Sequence, residues 1–296
     1  APVAVNDTSS ATENTVTQTG NVSTNDTGKD GSESYAIVGS TTGLYGTLTL
    51  NADGTYSYAR TANLDAIQTT AIDTFTYQVT DAAGNSTTST LTLNMTPVND
   101  AAVIGGVSTA SLTETNVAQT ATGTLTITDV DSAATFVAQT ATAGSNGYGK
   151  FSLTAAGVWT YTMDTAHDEF VAGTVYTDSF TATSADGTTK LITVTINGTN
   201  DAAVIGGVST ASLTETNVAQ TATGTLTITD VDSAATFVAQ TATAGSNGYG
   251  KFSLTAAGVW TYTMNTAHDE FVAGTVYTDS FTATSADGTT KLITVT

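Results

Sequence analysis

Cysteine is absent from the sequence, so no disulfide can hold the fold together. Lysine and arginine are almost as scarce, with 6 of them against 26 aspartates and glutamates and a net charge of −20. Basic clusters are needed to neutralise phosphates, so nucleic acid is excluded as a partner and anionic membrane surfaces are disfavoured. No run approaches the roughly 18 apolar residues of a membrane-spanning helix, so we expect no insertion into a bilayer.

The sequence also lacks the usual marks of catalysis. It has no cysteine nucleophile, no plausible Ser-His-Asp order and no glycine-rich loop between a strand and a helix. The two histidines, His167 and His268, occupy equivalent positions with no second histidine nearby, which argues against a zinc site or a catalytic base. We therefore expect no enzyme.

What the sequence has is repetition. Residues 100–195 and 201–296 align without a gap and differ at one position, where Asp164 is replaced by Asn265. Residues 1–99 are a more distant copy, and each copy is large enough to carry its own core. We name the copies modules 1, 2 and 3, with residues 1–99, 100–200 and 201–296. Module 3 is expected to lack the end of its last strand, and the chain to be a monomeric fragment of a longer array whose sorting signals lie elsewhere.

Apolar residues alternate with threonine and serine throughout, which is the period of a half-buried strand. In module 2 this alternation runs through Thr124–Ile127, Phe151–Thr154, Val158–Tyr161 and Lys190–Thr195. Turn signals containing glycine separate these stretches. The sequence therefore predicts an all-β chain, in which three tandem β-sandwiches of immunoglobulin or cadherin type form an extended array. Only residues 164–171 could hold a helical turn.

Acidic residues can be placed on such a sandwich, because the loops of seven antiparallel strands fall at alternate ends. Every acid of module 2 is then expected at one end or the other, and none inside a strand. The set expected between modules 1 and 2 is Glu13, Asp73, Asn99, Asp100, Asp129, Asp131 and Asp186. The set expected between modules 2 and 3 is Glu114, Asp178, Asn200, Asp201, Asp230, Asp232 and Asp287. Membership of Asp164, Asp168 and Glu169 is left open.

So many carboxylates without basic partners would repel one another unless a cation lay among them. Hard oxygen ligands, with no cysteine and no paired histidine, favour Ca²⁺ over zinc or copper. The alternative is that these residues are ordinary turn formers, since Asp and Asn favour turns in any case. The coordinated placement of the two sets favours calcium.

Longer stretches carry a family resemblance. In module 2, GTLTITDVDSAATF, YGKFSLTAAGVWTYTMD and TDSFTATSADGTTKLITVTINGTNDAAVI resemble the VCBS repeat of very large bacterial surface adhesins of the RTX type. In module 1, PVAVND, NADGTYSYAR and DTFTYQVTDAAGN resemble the cadherin-like tandem repeat of the same proteins. The resemblance implies a calcium-binding β-sandwich array on the surface of Gram-negative bacteria. It also implies export by type I secretion and a role in adhesion and biofilm formation.

Two functions remain open at this point. The first is an extender, in which calcium ties each linker to both neighbouring modules and holds terminal adhesive domains away from the cell. The second is a multivalent module that binds glycan or a partner through exposed loops or aromatics. Buried tryptophans, Trp159 and Trp260, with acids confined to the junctions, would favour the extender. If Asp164 binds metal, Asn265 would weaken the matching site in module 3.

Overall fold

The computed structural model describes residues 1–296, and every regular element in it is a strand. The predicted all-β fold with three β-sandwich modules is confirmed, with no strand pairing between modules. Residues 164–171, which could have held a helical turn, form turns and bends only. The structure contains no helix of the length and apolar character needed to cross a membrane.

Module 1 is a sandwich of seven strands, and several of them turn an apolar residue at every second position toward a shared core. Its strands are β1 (Asp7–Thr12), β2 (Thr17–Asn21), β3 (Ser34–Val38), β4 (Gly46–Leu50), β5 (Thr55–Arg60), β6 (Ala71–Thr80) and β7 (Ser86–Thr96). They form one sheet in the order β1-β7-β6-β3 and a second in the order β2-β5-β4.

Modules 2 and 3 have eight strands each and share one topology. Module 2 contains β8 (Val103–Gly106), β9 (Thr109–Thr113), β10 (Thr120–Thr128), β11 (Gln139–Ala143), β12 (Gly149–Leu153), β13 (Val158–Met163), β14 (Val175–Thr183) and β15 (Thr189–Asn197). Module 3 contains β16 (Val204–Gly207), β17 (Thr210–Ala211), β18 (Thr221–Thr229), β19 (Gln240–Ala244), β20 (Gly250–Leu254), β21 (Val259–Met264), β22 (Asp279–Thr284) and β23 (Thr290–Val295). The sheets of module 2 run β11-β12-β13-β10-β8 and β14-β15-β9, and module 3 repeats this order.

The start of each module departs from the antiparallel sandwich expected from the sequence. In module 2 the first strand is split at Gly106, whose φ of 84° is readily adopted only by glycine. Its first part, β8, pairs antiparallel with β10, and its second part, β9, pairs parallel with the last strand, β15. The same parallel pairing joins β1 to β7 and β17 to β23. The residue after the first strand therefore lies beside the linker that leaves the module.

Each module has a separate hydrophobic core between its two sheets. Trp159 and Trp260 are fully buried in the cores of modules 2 and 3. The indole Nε1 of Trp159 donates a hydrogen bond of 2.7 Å to the carbonyl of Val107. Both tryptophans thus serve packing, and neither is displayed on the surface of a sheet.

Candidate metal centres at the module junctions

Acidic side chains gather around the two linkers. We name the cluster around residues 96–101 junction 1 and the cluster around residues 197–202 junction 2. Both draw on three places: the residue after the parallel first strand, the linker, and the Asp-Val-Asp loop that follows β10 or β18. Junction 2 also draws on the loop between β13 and β14, which carries Asp168. The parallel strand pairing brings the first of these to the linker, since the Glu114 amide donates to the Asn197 carbonyl at 2.8 Å.

The centre of junction 2 is a group of three carboxylates. Oxygen atoms of Glu114, Asp168 and Asp201 lie within 4.8 Å of one another. One oxygen of Glu114 accepts hydrogen bonds from the amide and hydroxyl of Thr199, at 3.2 and 2.5 Å. One oxygen of Asp201 accepts from the side-chain amide of Asn116 at 2.7 Å. The remaining oxygens, Glu114 Oε1, Asp168 Oδ1 and Asp201 Oδ2, are buried without a hydrogen-bond partner.

Module 3 adds two aspartates to this junction. Asp230 accepts from the amides of Asp232 and Ser233 at 3.2 and 2.9 Å, and Asp232 accepts from the Asp201 amide at 3.4 Å. Each of the two carboxylates keeps a second buried oxygen with no partner. Burial, then a side-chain hydrogen bond with Asp230, and then the charges of Asp230 and Asp201 raise the pKa of Asp232 above its ordinary value. A cation among these groups would favour the ionised form and reverse that shift.

Junction 1 repeats the arrangement with other residues. Glu13 is fully buried, and its Oε1 accepts from the Val98 amide at 2.8 Å. The Asp100 amide donates to Asp131 Oδ2 at 3.3 Å, as its counterpart does in junction 2. Glu13 Oε2, Asp100 Oδ2, Asp129 Oδ2 and Asp131 Oδ1 are buried and unpartnered.

The unpaired oxygens are concentrated at the junctions. Ten buried side-chain polar atoms in the chain lack a partner, and nine of them are the carboxylate oxygens just described. An unpaired buried carboxylate is costly unless a cation satisfies it. Clustered carboxylate oxygens, without sulfur or nitrogen ligands, match the preference of Ca²⁺. The residues present at both junctions therefore fit a calcium ion.

Asp186 and Asp287 also lie at the junctions, but they are hydrogen-bonded on both oxygens. Asp186 accepts from the Ala102 amide at 2.9 Å and the Thr188 hydroxyl at 2.6 Å, and the Ser184 hydroxyl donates to its other oxygen. The hydrogen bonds from Ser184 and Thr188 hold the pKa of Asp186 well below its usual range. Burial opposes this shift at Asp287, where the matching hydroxyls nevertheless lower the pKa. These two residues fasten the start of the following module.

The two linker asparagines, Asn99 and Asn200, form hydrogen bonds that fasten the linkers. Asn99 accepts a hydrogen bond of 3.3 Å from the Ser132 hydroxyl. The side-chain amide of Asn200 donates to the Asp201 carbonyl at 3.1 Å and to Asp287 at 3.4 Å. Each asparagine thus connects its linker to the module that follows.

Asp73 and Asp178 do not reach a junction, and their placement at the end of a module is wrong. Both lie inside strands, β6 and β14, and face inward. Asp178 is fully buried and accepts from the amides of Asn146 and Gly149 at 2.8 and 3.2 Å and from the Tyr161 hydroxyl at 3.2 Å. A turn folded over the strand and a buried tyrosine supply these donors, so the carboxylate is satisfied without a cation. The turn at residues 44–45 and a buried tyrosine do the same for Asp73.

Of the three acids left open, only Asp168 joins the cluster. Asp164 is exposed and lies 3.3 Å from the ammonium nitrogen of Lys150. Glu169 lies 2.7 Å from Nδ1 of His167. Burial lowers the pKa of His167, but the hydrogen bonds to Glu169 and to a backbone carbonyl raise it above the usual value. Sequence spacing alone cannot choose among three acids in one irregular loop.

Comparison with known proteins shows the family of the three modules. The family model described as a bacterial cadherin-like domain matches residues 1–97, 99–198 and 200–296. The chain belongs to this family. No curated protein sequence matches this cadherin-like chain significantly.

Several solved cadherin structures are similar to the cadherin-like chain. A protocadherin gammaB7 EC3-6 structure is 13% identical, with a TM-score of 0.46, and the match covers 99% of this chain and 72% of that one. Mouse cadherin-23 EC22-24 is 16% identical, with a TM-score of 0.44 and coverage of 99% and 98%. Drosophila N-cadherin EC1-4 is 16% identical, with a TM-score of 0.35 and coverage of 98% and 73%.

The two linkers of the cadherin-like chain differ at three aligned positions, and one of these is Pro97 in junction 1 and Gly198 in junction 2. Gly198 packs against the loop that carries Asp168, donating to the Thr174 carbonyl at 3.0 Å and accepting from the Gly173 amide at 3.3 Å. A Cβ atom there would lie 2.7 Å from the Phe170 carbonyl oxygen, so only glycine fits this approach. In junction 2 the linker backbone therefore packs closely against the loop that carries Asp168.

Proposed function

We propose that the three modules form a spacer of a bacterial surface adhesin and that Ca²⁺ bound at both junctions makes it stiff. The observation that carries this proposal is the set of nine buried, unpartnered carboxylate oxygens at the two linkers. The residues proposed to hold the ions at junction 1 are Glu13, Asn99, Asp100, Asp129 and Asp131, with Asp186 beside them. Those proposed at junction 2 are Glu114, Asp168, Asn200, Asp201, Asp230 and Asp232, with Asp287 beside them.

The stiffening follows from where these residues come from. Glu114 and Asp168 belong to module 2, Asp201 to the linker, and Asp230 and Asp232 to module 3. Without a cation, like charges at this distance repel and favour separation of the modules. Calcium, when bound, supplies six to eight oxygen-coordination positions, so it draws ligands from both sides at once. By analogy with other extracellular calcium modules, we expect a Kd of about 10⁻⁴–10⁻³ M.

The wider setting also belongs to the proposal. Cadherin-like domains are extracellular adhesion and structural modules, which supports an extracellular, non-enzymatic role for residues 1–99, 100–200 and 201–296 as successive modules. Their proposed partners are neighbouring repeats of the same chain. The RTX-type adhesin, the type I secretion and the role in biofilm formation rest on the resemblance of the sequence motifs.

The alternative, multivalent binding of glycan or of a partner through aromatics, has less support. Glycan-binding surfaces commonly use exposed aromatic rings. Here both tryptophans are fully buried, and Tyr161 and Tyr262 lie in the cores with them. The buried rings therefore favour the spacer.

Small-angle X-ray scattering of the chain in millimolar Ca²⁺ and then in EDTA tests the proposal. With calcium we expect a rod of about 120–130 Å, an estimate from strands of about 3.3 Å per residue. In EDTA we expect the profile of a jointed chain. Magnesium at the same ionic strength is the control, because it screens charge equally but accepts fewer protein ligands. An unchanged profile in all three conditions would rule out the calcium-stiffened spacer.

A further inference from the structure

The loop that carries Asp168 is held by the residue before it. His167 has a φ of 61°, in the left-handed region that few residues other than glycine adopt. Its Nδ1 lies 2.7 Å from Glu169 Oε1, and its Nε2 lies 2.8 Å from the Tyr148 carbonyl oxygen. The ring stacks on Phe170 at 4.7 Å with an angle of 10°. The His167 side chain, only 11% exposed, is thus fixed on both ring nitrogens and on one face.

These ring contacts lie at the start of the turn that carries Asp168. The Phe170 amide donates to the His167 carbonyl at 2.9 Å, which closes a turn with Asp168 at its second position. Asp168 Oδ1 is buried and has no hydrogen-bond partner of its own. The position of the Asp168 carboxylate therefore comes from its neighbours and not from bonds that it makes itself.

Module 1 provides a natural comparison. Aligning Tyr58 with Tyr161 places Leu64 where module 2 has His167, and Asp65 where it has Asp168. Leu64 is 2% exposed and packs into the core of module 1. The only three acidic side chains in the chain that come within 4.8 Å of one another are those of junction 2. The same backbone turn is present in module 1, where the Ile67 amide donates to the Leu64 carbonyl at 3.0 Å, yet its acid is not part of such a group. What module 1 lacks is the pair of bonds that the histidine ring makes.

We propose that His167 is a positioning residue for the cation site of junction 2. Its bonds to Tyr148 and Glu169 hold the loop so that Asp168 faces Glu114 and Asp201. The inference rests on the proposed calcium site and adds to it a residue that is not itself a ligand. Partners that orient metal ligands typically change metal affinity by 10- to 100-fold when they are removed.

Module 3 supplies a matched control for the structural cost of the substitution. His268 has the same bonds, 2.7 Å from Glu270 and 2.7 Å from the Tyr249 carbonyl, and the same stacking at 4.8 Å. Within the 296 residues no acidic linker follows module 3. The substitution His268→Leu therefore reports the loss of packing and bonds alone.

The experiment is a calorimetric Ca²⁺ titration of the full chain carrying Glu13→Gln, which removes a ligand from junction 1. In this background we expect His167→Leu to weaken calcium binding at junction 2 about tenfold. We expect His167→Gln, whose amide can still donate to the Tyr148 carbonyl, to recover part of that affinity. His268→Leu should leave the affinity unchanged, while thermal unfolding shows a similar loss of stability for both leucine variants.

The variant Glu114→Gln tests the calcium site separately from the positioning role of His167. If Glu114→Gln leaves calcium binding unchanged, the proposed function itself fails. If it weakens binding but His167→Leu does not, or does so no more than His268→Leu, only the positioning role is overturned. In the Glu114→Gln background, His167→Leu should add little further loss, because the two substitutions act on one site. If His167→Leu does not fold, the calcium affinities of His167→Gln and Glu114→Gln distinguish the same two outcomes.

Discussion

The two junctions have four equivalent acids, but Asp168 belongs to junction 2 alone, and the junctions also differ in what else connects the modules. At junction 1 the side-chain amide of Gln68, in module 1, donates a hydrogen bond of 2.9 Å to the Asp131 carbonyl in module 2. No hydrogen bond at junction 2 joins modules 2 and 3 outside the linker. The linker of junction 1 contains Pro97, whose φ is fixed, whereas that of junction 2 contains Gly198.

This difference indicates two degrees of dependence on a cation. Junction 1 has four unpartnered carboxylate oxygens and a direct bond between its modules. Junction 2 has five, and its hydrogen bonds between one module and the next all involve a linker residue. We infer that junction 2 loses more order than junction 1 when calcium is removed.

Removal of calcium should give the largest effect. In EDTA we expect the amides of Thr199 and Asp201 to exchange with solvent at least about tenfold faster than in calcium, because opening of the junction exposes them. The amides of Val98 and Asp100 should change less. Hydrogen exchange followed by mass spectrometry or NMR measures both. Equal acceleration at the two linkers would contradict the comparison.

The effect of replacing the buried glutamates on stability should be opposite in the presence and in the absence of calcium. In EDTA, Glu114→Gln removes a charge from a group of like charges, so we expect it to raise the free energy of unfolding by about 1–2 kcal/mol. In millimolar calcium it removes a ligand and should lower the melting temperature. Glu13→Gln is the matched variant at junction 1 and should follow the same pattern more weakly. Thermal unfolding in the two buffers checks this, and a shift of one sign in both would count against a cation site.

Gly198→Ala should disturb junction 2 by a steric route. The added Cβ would contact the carbonyl oxygens of Phe170 and Val171, so the loop and the linker must separate. We expect a loss of about 1–3 kcal/mol in urea unfolding, as for other overpacked positions, together with weaker calcium binding. Pro97→Ala, the matched change at junction 1, should cost no more than about 1 kcal/mol. A loss at Pro97 as large as that at Gly198 would show that the close approach does not matter.

Gln68→Ala should make junction 1 resemble junction 2. Loss of one hydrogen bond predicts a decrease of about 0.5–1.5 kcal/mol in the free energy of unfolding. The more telling result would be hydrogen exchange in EDTA, where the Val98 and Asp100 amides should approach the rates of Thr199 and Asp201. If these rates stay low, the Gln68 bond is not what holds junction 1.

Asp164→Asn should have the smallest effect. Its ion pair with Lys150 spans 3.3 Å, and the two side chains are 42% and 53% exposed. Such surface pairs contribute between zero and about 1 kcal/mol. Calcium affinity should not change, since Asp164 lies outside the cluster. A measurable loss of calcium affinity in Asp164→Asn would show that Asp164 is part of the site.

Periodicity and repetition predicted much of this molecule. Alternation identified strands such as β13, and the order of strands placed Glu114 beside Asp201. Asp178 was misplaced because a two-residue period gives the face of a residue but not the turn that covers it. The donors to Asp178 come from a turn about thirty residues away in sequence. Asp168 was left open because an irregular loop has no period from which to place it.

The parallel pairing of first and last strands has a mechanical consequence. In module 2, β9 lies beside β15 with Thr113 opposite Asn197, and the two strands run in the same direction. Tension applied through the linkers pulls β9 toward one end of the module and β15 toward the other. The backbone hydrogen bonds between the two strands are then loaded in shear, so several must break at once. Under load, each sandwich should hold while the linkers straighten first.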